Sequence, residues 1–435
     1  MVRPRCPRLP PLRRHARARA GRDIVSRRDA CRPWDASVSR GARRRSWETW
    51  RAAARRRVPR MIFDFVDGAA EDEVTRRRNR AAFDDIAFVG RVLTGVGDRD
   101  LRTTVLDEAL SLPLILAPTG MNRASHRSGE VAAARAAADA GIVSVLAGTS
   151  SASAEEVAAA APRPQWYQLY LYEDRARMLA KLETAKRLGY STLVVTVDGV
   201  AAGNRERDVR NRLAIPIRVR PGMVLDALRH PRWLFGYLFG PPMVSVELAG
   251  RQGFWSRVFP GRNPSLAAVM GDMFNPAQTW ADIDLLRARW DGPLVIKGIM
   301  CAEDARLAVE HGADGIVVSN HGGRQLDALP ASIEVLPEIV AEVGDEIAVL
   351  LDSGVRRGSD VVKAIALGAD ACLVGRAWVH ALQADGERGV RSLIEDFRVE
   401  IDRVMALNGN RTIADIDAAA VRRRIPDSWS RIGRL

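Results

Sequence analysis

Eight short apolar runs, spaced by residues of helical pattern, constrain this chain more than any other feature. They are Leu112–Ala117, Ile142–Leu146, Trp166–Tyr170, Thr192–Val197, Leu294–Lys297, Ile316–Val318, Ile347–Leu351 and Ala371–Val374. The runs are apolar without alternation, the pattern of strands covered on both faces, as in a parallel sheet. Helical stretches follow at Gly129–Ala140, Asp174–Leu188, Ala302–His311 and Ser359–Leu367, and others begin at Ser153, Ser332 and Gly386. Eight strand–helix units predict an α/β chain closed into a (β/α)8 TIM barrel.

Two segments stand outside this rhythm. Ser46–Phe65 is helical in pattern, with Trp47, Trp50, Val58, Ile62 and Phe65 as its apolar positions. Gly68–Asp72 breaks it, and a short helix follows to Phe83, so an N-terminal helical segment is expected against the barrel. Between strands four and five, residues 199–280 form an interruption far longer than a barrel loop. It carries His230-Pro231-Arg232-Trp233-Leu234-Phe235-Gly236-Tyr237-Leu238-Phe239, then Phe254-Trp255 and Phe259. Aromatics interleaved with arginine suit a membrane interface. A lid packed over the barrel mouth is the alternative.

The net charge of +13 is unevenly spread. Residues 1–45 hold fifteen arginines and three aspartates, a charge of +12, which leaves +1 for the other 390 residues. The basic balance belongs to an Arg/Pro-rich tail that reads as disordered. Attachment to acidic lipid or targeting is its other reading. Nucleic-acid binding is not expected from residues 46–435, which read as one barrel domain. No pair of the four cysteines has metal-ligand spacing, so no metal is expected and a reducing cytoplasm fits. No run of about 18 apolar residues is present to span a membrane.

In such a barrel the reactive groups lie at the C-terminal ends of the strands. Pro118-Thr119-Gly120 end strand one, Gln168 and Tyr170 lie on strand three, and Thr196 and Asp198 end strand four. Lys297-Gly298, Ser319-Asn320-His321, Asp352-Ser353-Gly354 and Gly375-Arg376 end strands five to eight. His321 can take a proton near neutral pH. Asp198 is the candidate carboxylate to fix its tautomer and stabilise its protonated form. Arg324, in His321-Gly322-Gly323-Arg324, can clamp a carboxylate with two parallel hydrogen bonds, and the glycines let backbone approach a flat ligand. Lys297 would be costly unpaired. A Schiff-base role is open to it, but a fixed positive charge beside an electron-rich ring fits better. Gly354-Val355-Arg356 and Gly375-Arg376 follow strands seven and eight, where barrels hold phosphate. Singly, each of those glycines reads as a tight turn.

The run Ser319-Asn320-His321-Gly322-Gly323-Arg324-Gln325-Leu326-Asp327, with Leu351-Asp352-Ser353-Gly354-Val355-Arg356-Arg357-Gly358 and Val374-Gly375-Arg376, carries a specific resemblance. From about Trp47 to about Asn410 the chain resembles the FMN-dependent 2-hydroxy-acid oxidases and dehydrogenases. Asn204-Arg205-Glu206-Arg207-Asp208 and His230-Pro231-Arg232-Trp233 look most like the mandelate dehydrogenase and membrane lactate dehydrogenase branch. The resemblance implies FMN, His321 as base and Asp198 as its partner. It implies Arg324 and Arg205 on the substrate carboxylate and Tyr170 at the substrate hydroxyl. Pro118, Thr119, Gly120, Gln168, Thr196, Lys297 and Ser319 would lie near the flavin ring. Asp352, Gly354, Arg356, Gly375 and Arg376 would hold the ribityl chain and phosphate. Phe65 stands where most members carry a substrate-binding tyrosine, and Ala147 where a serine is usual. Gly120 replaces an alanine common in the oxidases and leans toward a dehydrogenase.

The expected activity is oxidation of an (S)-2-hydroxy acid, mandelate- or lactate-like, to the 2-oxo acid, with quinone as acceptor. The protein would be cytoplasmic, peripheral on the inner face of the membrane, and tetrameric by resemblance. An oxidase producing hydrogen peroxide is the nearest rival. A nucleic-acid or membrane-surface binder driven by residues 1–45, and a flavin-free phosphate-binding barrel, are rivals of other kinds.

Overall fold

The computed structural model describes residues 46–161, 165–211, 221–243, 275–425 and 428–431. The expectations for the tail, and for Phe254-Trp255 and Phe259, lie outside these residues. The eight apolar runs form β1 (Leu114–Leu116), β2 (Val143–Ala147), β3 (Trp166–Tyr170), β4 (Thr192–Thr196), β5 (Leu294–Ile299), β6 (Gly315–Val318), β7 (Ala348–Leu351) and β8 (Ala371–Val374). Each pairs in parallel with the next, and β8 pairs with β1 through Cys372 opposite Leu114, which closes the barrel. Side chains alternate along the strands. Ile115, Val145, Trp166, Val194, Val295 and Val317 belong to the interior cluster, joined by Val105 and Leu110 of a hairpin that pairs Thr103–Val105 with Glu108–Leu110. Leu114, Leu146, Leu169, Leu193, Ile296 and Val318 join the second layer, packed on the helices. Burying such a side chain contributes roughly 1.5–3 kcal/mol, so the two layers set the register of every strand.

The N-terminal segment divides at Pro59. Helix α1 (Trp47–Arg57) is capped by Ser46, whose Oγ accepts the Thr49 N–H, and ends at Val58, which is extended ahead of the proline. Helix α2 (Arg60–Asp67) and α3 (Val74–Asp84) follow. Asp67 is fully buried and accepts hydrogen bonds from Arg51, Arg76 and Arg207 at 2.5–3.1 Å. Glu73 takes a second bond from Arg76 and from Arg207. These two carboxylates hold α1, α3 and α7 (Glu206–Arg210) against the end of α2.

The barrel helices α4 (Gly129–Ala140), α5 (Ala154–Ala160) and α6 (Arg175–Arg187) precede the long interruption, in whose described residues α7 is followed by α8 (Pro221–Leu228) and α9 (Pro231–Phe239). Trp233 donates its indole N–H to Ala124 O at 2.8 Å and packs on Ala54, Val58, Met61, Ile62 and Phe63. No residue of α8 or α9 lines the cavity at the barrel mouth, so their aromatics are not the lid that one reading expected. Their other side leaves Leu225, Leu228, Phe235 and Phe239 58–63% exposed.

The barrel resumes with α10 (Trp280–Arg287), α11 (Ala302–Glu310), α12 (Ser332–Val343), α13 (Gly358–Ala366) and α14 (Arg376–Asn408). Here the structure corrects the expected helix start at Gly386. The last helix begins directly after Gly375, and its first turns bury Trp378, Val379, Ala381 and Leu382. Gly386 instead marks a break inside it, with φ +61, and a Cβ there would stand 2.7 Å from the His126 ring. His311 and His380 lie off the mouth cavity: His311 stacks on Trp280, and fully buried His380 stacks on Phe63.

Candidate active site

A cavity of about 250 Å³ opens where the strands end. Its wall takes Pro118, Thr119 and Gly120 from the β1 end, Gln168 and Tyr170 from β3, Thr196 from β4 and Lys297 from β5. His321 and Arg324 enter after β6, Asp352, Gly354 and Arg356 after β7, and Gly375 and Arg376 after β8. Phe65 reaches in from α2 and Arg205 from the segment just before α7. Asp198 and Ser319 do not line the cavity; they stand behind His321 and Lys297. Ala147, at the position where a serine was expected, also lines it.

His321 Nδ1 lies 3.0 and 3.2 Å from the two Asp198 carboxylate oxygens. That contact assigns the proton of the neutral ring to Nδ1 and leaves Nε2 as an open acceptor. Burial holds the imidazole below its ordinary range, against the opposing pull of Asp198. Burial would raise the Asp198 carboxyl, but His321 and Lys297 outweigh it and hold it below the usual carboxylate range. At neutral pH the pair is therefore an anion beside a neutral base. The close approach depends on Gly298 at φ +118, where a Cβ would stand 2.8 Å from Asp198 Cβ.

Buried Lys297 places Nζ 2.8 Å from Ser319 Oγ and 3.2 Å from Asp352 Oδ2. Burial lowers its pKa, yet Asp352 and Asp198 more than compensate, so the ammonium is fixed as a cation. A free amine for a Schiff base is not what this environment favours. Gln168 donates to Thr196 Oγ1 at 3.0 Å and accepts from Gly148 N, which locks its amide orientation. The Tyr170 hydroxyl is pushed up to about 12 by burial and by Asp198, so it remains a donor.

Four arginines line this cavity with no ion-pair partner within 4 Å among the described residues. Arg376 donates to the carbonyls of Val66, Gly68 and Gly322 at 2.7–3.0 Å. Arg324 donates to Phe65 O at 2.7 Å and lies 5.2 Å from the Phe65 ring. Arg356 donates to its neighbour's carbonyl, and Arg205 makes only long contacts, at 3.3–3.4 Å, to Arg324 O and Gln325. Burial, then their mutual repulsion, lowers Arg324 to about 9 and holds Arg376 well below its usual value. Burial lowers Arg356 to about 10. A guanidinium in a protein keeps its charge at neutral pH. Arg376 is buried and the other three are half-buried, and cations so placed and satisfied only by carbonyls call for anions. A phosphate beside Arg356, Arg376 and the Gly354 and Gly375 backbone, and a carboxylate beside Arg324 and Arg205, meet that need. These residues fit FMN and a carboxylate substrate.

Sequence reasoning missed Asp208, which lines the same cavity and whose carboxyl burial pushes up. It stands in a run of five charged or polar residues, and nothing in that run marks it as inward-facing. It also missed Glu130. This buried carboxylate accepts from Asn122, Ser151 and Ala152 and ties together the loops after β1 and β2.

A barrel whose mouth gathers a base, a fixed cation and unpaired anion clamps defines a cofactor-dependent oxidoreductase of small carboxylates. The FMN-dependent dehydrogenase family model matches residues 54–423, and the chain belongs to that family. L-lactate dehydrogenase of Pseudomonas aeruginosa is 44% identical over 381 residues, covering 86% of this chain and 97% of the relative. The crystal structure of the monotopic membrane protein (S)-mandelate dehydrogenase superposes with a TM-score of 0.80 at 38% identity, covering 87% of this chain and 99% of the other. A mandelate oxidase solved with benzoyl-formic acid gives 0.72 at 36% identity, covering 87% and 98%. The chain is thus an FMN-dependent 2-hydroxy-acid oxidoreductase.

Proposed function

We propose that this enzyme oxidises an (S)-2-hydroxy acid with an apolar side chain, lactate- or mandelate-like, and passes the electrons to a quinone. The observation that carries the reading is the Asp198–His321 pair, whose open Nε2 shares one cavity with Arg324, Arg205 and Tyr170. In this reading Arg324 and Arg205 hold the substrate carboxylate and the Tyr170 hydroxyl orients the reacting oxygen. His321 Nε2 takes the substrate proton, and Asp198 stabilises the imidazolium that results. Arg356, Arg376, Gly354 and Gly375 hold the phosphate of FMN. Thr119, Gly120, Gln168 and Thr196 border its ring. Lys297, held by Asp352 and Ser319, supplies a positive charge to the ring side of the cavity. FMN, when bound, provides the two-electron acceptor that the protein side chains lack.

Phe65 offers an apolar wall where a tyrosine would offer a hydroxyl, which favours substrates with an apolar substituent. The exposed apolar side of α8 and α9 supports peripheral contact with a membrane, where quinones reside. No helix among the described residues is long and apolar enough to cross one. A tetramer is the assembly proposed from the resemblance.

The test is the visible spectrum of flavin-loaded protein mixed without oxygen with (S)-lactate and with (S)-mandelate. Bleaching of the flavin bands by either acid is expected, and the faster acid ranks the substrates. A flavin band that neither acid bleaches contradicts the substrate class. Readmitting air separates the rival acceptor: stoichiometric peroxide marks an oxidase, whereas slow reoxidation that a soluble quinone accelerates marks a dehydrogenase.

A further inference from the structure

A second cavity, about 470 Å³, is also walled in part by α2 but shares no lining residue with the flavin pocket. Its wall is made by α1, α2, α7 and the α8–α9 hairpin, and it includes five arginines against two aspartates. The aspartates are committed to the frame. Asp226 accepts the Arg60 backbone N–H at 2.8 Å and faces His230 at 3.5 Å. Asp64 accepts from the Asn211 amide at 2.8 Å. Two of the arginines, Arg51 and Arg207, are likewise neutralised from behind by Asp67 and Glu73.

Three cations remain with donors to spare. Arg55 is exposed and has no ion-pair partner among the described residues. Arg60 is 82% exposed and makes one long contact, 3.3 Å, to Asp64. Arg210 is 70% exposed, and its pairing with Glu206 is 3.7 Å long. Each guanidinium presents several N–H groups in a planar fork that matches phosphate oxygens. The hairpin that supplies Asp226 and His230 also carries exposed Leu225 and Leu228, so cationic donors and apolar surface adjoin one another.

We infer that this cavity is a binding site for a phosphate group, and that the phosphate of an anionic phospholipid headgroup is its occupant. This rests on the reading that α8 and α9 touch a membrane. Phosphate oxygens would sit among Arg55, Arg60 and Arg210, with the acyl chains lying along the apolar side of the hairpin. A free phosphate ion shares the headgroup's chemistry but would make no use of that apolar side.

Flavin-loaded full-length protein is sedimented with vesicles of phosphatidylcholine alone and of phosphatidylcholine with phosphatidylglycerol. Three proteins are compared: wild type, Arg55→Gln/Arg60→Gln, and Arg56→Gln/Arg57→Gln. The last removes the same charge from exposed positions that do not line the cavity. The cavity variant is expected to lose about tenfold in apparent affinity for the anionic vesicles. It should keep wild-type turnover and flavin content, and the control variant should stay within twofold of wild type. Equal losses in the two variants overturn the site, because diffuse charge then explains the binding. No loss in either overturns it as well. Failure of wild type to bind either vesicle counts against the membrane reading of the hairpin and not against the phosphate site. Titration with inorganic phosphate, followed by phosphorus NMR line width, separates the sources. Broadening in wild type and the control but not the cavity variant, without vesicle binding, supports the phosphate site and assigns it to the free ion.

Discussion

Two arginine groups in this part of the molecule are satisfied in opposite ways. Arg51, Arg76 and Arg207 are held by the buried carboxylates of Asp67 and Glu73. Arg324, Arg356 and Arg376 reach only carbonyl oxygens. The first arrangement balances its charge within the protein and serves to join helices. The second leaves its charge for a ligand and is expensive without one. Residue type alone does not separate them, because both groups are arginines. The nature of the acceptor separates them.

Removing one member from each group should give opposite results. Asp67→Ala leaves three guanidinium groups around an empty position and should cost about 3–5 kcal/mol of stability, read as a fall in the urea midpoint. Arg376→Met should leave the stability of flavin-free protein unchanged or higher. Its FMN dissociation constant should rise on the order of 10- to 100-fold, the loss of a charge-assisted contact of about 1.5–3 kcal/mol. If Arg376→Met destabilises the flavin-free protein as much as Asp67→Ala does, the distinction between the two groups fails.

A smaller effect sharpens the ligand-facing side. Phe65→Tyr adds a hydroxyl next to Arg324, worth roughly 0.5–1.5 kcal/mol toward a carboxylate. The KM for lactate should fall about two- to tenfold, with FMN affinity unchanged. The pH profile offers a finer test. Burial keeps the His321 pKa below 6.5 and Asp198 raises it. The acid limb of kcat/KM should therefore lie below pH 6.5, with activity present above it and lost as His321 protonates. Asp198→Asn removes the raising influence, so the limb should move to lower pH while kcat drops. A limb that moves upward, or does not move, contradicts the pairing.

Much of this arrangement was legible in the chain. The barrel was legible because eight unbroken apolar runs have few other ways to be covered on both faces. The mouth was legible because a barrel aims its strand ends at one place, so Lys297, His321, Asp352 and Arg376 could be grouped before any contact was known. The structural group was not legible. Arg207 is 140 positions from Asp67 in sequence, and the meeting of Asp67, Arg76 and Arg207 is decided by how α2, α3 and α7 pack. Asp208 was hidden for a related reason: among neighbouring charges, only the direction of its helix turn sends it inward. The start of α14 was misread because Gly386 looks like a boundary, whereas the apolar stripe from Trp378 to Leu382 extends the helix back to Arg376.

The measurement that bears most directly on the central assignment is the anaerobic rate of flavin reduction by (S)-lactate in His321→Gln, compared with wild type in a stopped-flow experiment. The variant should retain its FMN and its fold, because His321 faces the substrate side of the cavity. Its reduction rate should fall by about 10²–10⁴-fold, the contribution of a positioned general base. A rate within tenfold of wild type, with the flavin fully bound, would contradict the assignment of His321 as the group that takes the proton.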